Sequence, residues 1–127
     1  MHEGAVRPAT TYPAIVGGVL AQIRNLQGLH QDQLAEGLGI TQSTLSRIEK
    51  GQSSLSVEHL RLAANKLGTT PATILEHADF AEQTMLGQGI VVTPVRHDEA
   101  LKNTIVLIGA VALTAIITAA IVSSKKG

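Results

Sequence analysis

Apolar residues recur at helical spacing in five blocks between positions 13 and 80, separated by short polar or glycine-containing breaks. Pro13 suits the first turn of a helix from Ala14 to about Leu26, whose apolar stripe is Ile15, Val19, Leu20, Ile23 and Leu26. Gly28 closes it. The next block, Gln31 to Leu38, sets Leu34, Ala35 and Leu38 on one face, and Gly39 fits the left-handed position that ends a helix. Ile40 plugs the turn and Thr41 is a ready N-cap. A third short helix follows, with Leu45 and Ile48 inward and Gln42, Ser43, Thr44, Ser46 and Arg47 outward. Ser56 caps a fourth helix, Val57 to Leu67, with Leu60, Ala63, Ala64 and Leu67 inward. Thr70-Pro71 starts a fifth that reaches about Phe80 and buries Ile74 and Leu75.

The flanks read differently. Residues 1–12 show no periodicity and are expected to form a flexible arm. The run from Ala14 to Ala21 resembles a signal-peptide core, but it lacks a basic region before it and continues into Gln22-Ile23-Arg24, so it reads as a domain helix. Residues 81–101 form a linker. Within it, Gly89 to Val95 is rich in β-branched residues and reads either as extended linker or as a dimer-forming strand, with Pro94 restricting it to an edge. From Asn103 to Ser124 there is no charge, and Thr104 to Val122 would span about 28 Å as a helix at 1.5 Å per residue. A bilayer's hydrocarbon core is roughly 30 Å thick. A transmembrane helix is therefore expected over 102–124, with Lys102, Lys125 and Lys126 at its ends and a short tail at 125–127.

Composition narrows the chemistry. The 127 residues carry ten basic and ten acidic side chains, five His and no Cys, which rules out disulfides and thiol-ligated metals. Tyr12 and Phe80 are the only aromatic residues, so the core must be built from Leu, Ile, Val and Ala. The histidines at 2, 30, 59, 77 and 97 include no pair at four-residue spacing, so no metal site is expected. No phosphate loop and no grouped nucleophile and base appear, and neither a cofactor nor an enzymatic activity is expected. Between Pro13 and Phe80, Arg24, Arg47, Lys50, Arg61 and Lys66 stand against Asp32, Glu36, Glu49, Glu58, Glu76 and Asp79, five against six. Non-specific affinity for DNA scales with the phosphates neutralised, so this domain alone should bind DNA weakly.

The third helix is nevertheless suited to a major groove. Its wet face carries an amide, hydroxyls and a guanidinium; Gln42 can address adenine bidentately, and Arg47 can reach guanine or a phosphate. Lys50, with Gln52 and Ser53, is placed for contacts to the DNA backbone. Together, Gln31, Leu34-Ala35, Gly39-Ile40-Thr41-Gln42, Leu45-Ser46-Arg47-Ile48-Glu49 and Gly51 resemble the helix-turn-helix of the phage repressor and Cro family, over roughly Pro13 to Phe80. The resemblance implies an all-α, five-helix lambda-repressor-like domain at 13–80. It implies base reading by Gln42 and Ser43 with Arg47 one turn later, and phosphate contact by Gln31; with the polar residues Thr41, Thr44, Ser46 and Lys50 these are the expected DNA-contacting side chains. Gln31 would touch phosphate and brace Gln42, and Arg24 and Glu49 would pair to fix the reading helix. His30 departs from the Ser or Thr cap common in the family, which should loosen the second helix.

Two functions are in view. The first is a sequence-specific regulator of transcription that binds double-stranded DNA as a homodimer. It would be tethered to the inner membrane through residues 104–122, with its N-terminal domain in the cytoplasm. The second is a membrane-anchored interaction module like the cell-shape protein RodZ, in which the same domain type binds a protein instead of DNA. The balanced charge fits the second; Gln42 and Ser43 fit the first.

Overall fold

Hydroxyl caps define where the helices begin. Thr11, Thr41, Ser56 and Thr70 each sit in extended backbone and accept a hydrogen bond from the backbone N–H three residues on, satisfying one of the amides a helix start leaves open. In the computed structural model, which describes residues 7–93, 105–107 and 117, these caps introduce four of five helices. They are α1 (Tyr12–Leu26), α2 (Gln31–Leu38), α3 (Gln42–Glu49), α4 (Val57–Leu67) and α5 (Pro71–Gly87). At α2, which has no hydroxyl cap, the Gln33 side chain reaches back and accepts from the His30 N–H at 2.8 Å. That half of a capping box compensates for the missing Ser or Thr. Gly39 ends α2 at φ 72°, the left-handed conformation the turn requires.

The apolar positions converge on one core. Ile15, Val19 and Leu20 of α1 meet Leu34, Leu45, Ala63, Ile74, Ala78, Ala81 and Met85, all fully buried. Burial of each large aliphatic side chain contributes about 1.5–3 kcal/mol. α1 is the central element, packing on α5 along one side and on α3 along the other. Leu26 departs from the expected stripe: it lies in the last turn of α1 and is 60 % exposed. Helix α5 runs beyond Phe80 to Gly87, because Ala81 and Met85 continue its buried face.

An entirely helical fold does not describe the chain. Arg7–Thr11 forms a strand, β1, where a flexible arm was expected. It is the middle strand of a parallel sheet, with β2 (Val91–Thr93) on one side and β3 (Ile105–Leu107) on the other. Ala9 is in register with Val91 and Thr11 with Thr93; Arg7 is in register with Ile105 and Ala9 with Leu107. β1 leads directly into α1, and β2 follows α5, so the packing of α1 on α5 brings the two strands together, and they pair in parallel. The extended stretch after Gly89 is thus a strand paired within its own chain.

The transmembrane helix expected over 102–124, and the lipid contact through residues 104–122, find no support at the described positions. Ile105–Leu107 is strand, and Ile117, which is helical, is fully buried in the core cluster of the helical domain. Among the described residues no helix is long and apolar enough to cross a membrane; the remainder of that stretch lies outside the described residues. The physical reason is that a short β-branched run satisfies a buried strand as well as a lipid-facing helix. Here the open edge of β1 supplies the backbone partners.

Candidate nucleic-acid interface

Three side chains on α3 stand in solvent together. Gln42 and Ser43 open the helix and Arg47 lies one turn later, all exposed, with exposed Lys50 at the C-cap. Thr44 and Ser46, expected to share that outward face, are half-buried. Thr41 serves α3 itself: its hydroxyl oxygen accepts from the Thr44 N–H at 3.1 Å and donates to Thr44 Oγ1 at 2.9 Å. Thr44 Oγ1 in turn accepts from Arg47 Nη2 at 3.3 Å, which holds the guanidinium along the exposed side of the helix. Of the eight expected DNA-contacting residues, the structure therefore brings Gln31, Gln42, Ser43, Arg47 and Lys50 to one accessible face, or to its edge, and gives Thr41 and Thr44 capping and bracing work.

A chain of polar contacts runs beneath this face. Arg24 of α1 donates through Nε to Glu49 Oε2 at 2.8 Å and through Nη2 to Glu49 Oε1 at 2.9 Å, and its Nη1 donates to the Leu29 carbonyl at 2.8 Å. Both partners are 9 % exposed, so the pair is enclosed and its geometry is two-pronged, the strong form of a charge-assisted bond. Glu49 Oε1 also accepts from Gln31 Nε2 at 2.8 Å. Gln31 Oε1 accepts from Gln42 Nε2 at 3.1 Å. The bracing of Gln42 by Gln31 and the Arg24–Glu49 pair both follow the expectation from resemblance. The link between them, from Gln31 to Glu49, was not foreseen; nothing in spacing alone aims a helix-two amide at the end of helix three.

Electrostatics at this face differ from those of the whole domain. The one carboxylate on α3, Glu49, is buried against Arg24, so the helix shows solvent only the cations Arg47 and Lys50. Against an overall balance of five to six, the charges that α3 and its C-cap show to solvent are both positive. Backbone approach fixes the position of α3: Gly17 of α1 lies against the Ile48 carbonyl, with no room for a Cβ. Among the described residues no three His, Asp or Glu side chains come together in a way that could hold a metal ion.

Comparison with known proteins agrees with this geometry. A helix-turn-helix family model matches residues 20–74. Among solved structures, the clp gene regulator ClgR from Corynebacterium glutamicum is similar at 26 % identity with a TM-score of 0.59, over 61 % of this chain and 82 % of that one. A second structure of that regulator gives 28 % identity and a TM-score of 0.52, over 54 % and 88 % of the two chains. No curated protein matches. Residues 20–74 thus form a helix-turn-helix unit, with α2 and α3 as its two helices, of the kind found in a known gene regulator.

Proposed function

We propose that this protein regulates transcription by binding double-stranded DNA sequence-specifically, with α3 in the major groove. The observation that carries the reading is the state of Gln42. It is exposed at the start of α3, yet its amide is held by Gln31 and stands beside exposed Ser43 and Arg47. An α-helix with its side chains is about 10–12 Å across, so α3 can enter a major groove about 12 Å wide. Gln42 presents an acceptor and a donor to adenine, Arg47 presents paired donors to guanine, and Ser43 donates to a base or phosphate at short range. Lys50 and the second Nε2 hydrogen of Gln31 supply backbone contacts that set register. The similarity to a regulator of clp genes supports a role in transcription. Two copies on neighbouring half-sites about 34 Å apart would follow the usual geometry of such units.

Fluorescence anisotropy with labelled duplexes tests this. Sequence-dependent binding that weakens with salt, and that falls when Gln42 or Arg47 is replaced by Ala, is the expected result. Binding that ignores sequence and both replacements contradicts it, and a protein partner retained at high salt without DNA would favour the interaction-module reading.

A further inference from the structure

The enclosed carboxylate of Glu49 does more than pair with Arg24. A carboxylate only accepts hydrogen bonds, so the end of Gln31 that touches it must be the NH2 end. That forces the carbonyl end of Gln31 toward Gln42, and a carbonyl in turn accepts only from the NH2 end of Gln42. The orientation of both amides is thereby dictated by one buried charge, which touches Gln31 directly and Gln42 through it, whichever way either amide would turn if free. Gln42 is left with its Oε1 and one Nε2 hydrogen uncommitted, the donor–acceptor pair complementary to the N6 amino group and N7 of adenine.

We propose that Glu49 is a specificity-determining positioning residue: through Gln31 it fixes the polarity of the Gln42 amide and so sets the preference for adenine at one position of the site. The proposal rests on the DNA-reading function above. An isosteric amide at Glu49 can donate or accept, which frees Gln31, and then Gln42, to take either orientation. Arg24 acts differently. It holds the carboxylate in place, but a Lys there would leave the acceptor-only character of Glu49 intact.

Two measurements on the full-length chain separate this role from a purely structural one. In nitrogen–proton correlation spectra of the free protein, Glu49→Gln should move the side-chain amide resonances of both Gln31 and Gln42, whereas Arg24→Lys should lower the melting temperature and leave the Gln42 resonances in place. In competition binding with duplexes altered one base pair at a time, a bidentate amide–adenine contact gives roughly 5- to 150-fold discrimination. Glu49→Gln should reduce that discrimination by about 3- to 10-fold at the single pair whose identity Gln42→Ala also relaxes, with other positions unchanged. Gln31→Met, which leaves the ion pair whole, should give the same loss at the same pair along with a uniform drop in affinity. Gln42 resonances unmoved by Glu49→Gln, or full adenine preference kept in both variants, overturns the proposal. If the unaltered protein selects no sequence at all, the DNA-reading function fails instead, and the spectra still decide whether the relay exists.

Discussion

Gly17 of α1 and the carbonyl of Ile48 in α3 approach so closely that a methyl group at position 17 would fall on the carbonyl oxygen. This contact sets the distance between α1 and the C-terminal end of α3, and backbone cannot yield as a flexible side chain can. Gly17→Ala should therefore destabilise the protein by about 2–3 kcal/mol through overpacking and displace α3. Chemical denaturation with and without a bound duplex checks this: stability and DNA affinity should fall together.

The Arg24–Glu49 pair should show the asymmetry of an enclosed ion pair. Glu49→Ala strands the guanidinium in a site 9 % exposed, a loss of about 3–5 kcal/mol. Replacing both partners, as Arg24→Met with Glu49→Leu, should recover most of that stability, because no uncompensated charge remains. Urea unfolding of the two singles and the double gives the comparison; a double variant as unstable as the sum of the singles would contradict it.

Tyr12 ties the start of α1 to α5 by donating its hydroxyl to Asp79 Oδ1 at 2.6 Å. Partial burial, then the hydrogen bond to Asp79 and the charges of Asp79 and Glu82, push the phenol well above its ordinary range. The neutral phenol is thus favoured in the folded state, and its contribution is present below about pH 10 and lost as pH rises further. Stability measured between pH 9 and pH 11 should fall more steeply for the unaltered protein than for Tyr12→Phe, by the sign of that shift.

Ile117 distinguishes a packed C-terminal segment from a lipid-facing one. It is fully buried in the core cluster, so Ile117→Ala should lower the unfolding free energy of the helical domain by about 2–5 kcal/mol. Domain melting indifferent to this change would restore the spanning-helix expectation for residues 102–124.

What the sequence revealed follows the range of the forces involved. Helices α2, α3 and α4 could be read because their signals are local: a cap at Thr41 or Ser56, a glycine at 39, and apolar residues three and four apart. Strand β1 could not, because Arg-Pro-Ala-Thr-Thr has no alternation and becomes a strand only through partners more than eighty residues away. Within the run at 104–122, Ile105–Leu107 departs from the expected helix because its apolar, β-branched content is a signal that strand and helix share. At the site, Gln42, Ser43 and Arg47 were legible as the wet face of a short helix. Thr44 and Ser46 were not separable from them, since the wheel does not show how deeply α3 sits against its neighbours. The Gln31–Glu49 contact joins two helices through side-chain reach, which periodicity does not encode.

Selection from a random duplex library by the full-length protein, followed by the same selection with Gln42→Ala, tests the central claim most directly. The account predicts a defined motif for the unaltered protein and relaxed preference at one adenine position for the variant, with the rest of the motif retained. Recovery of no motif, or of the same motif from both proteins, would contradict it.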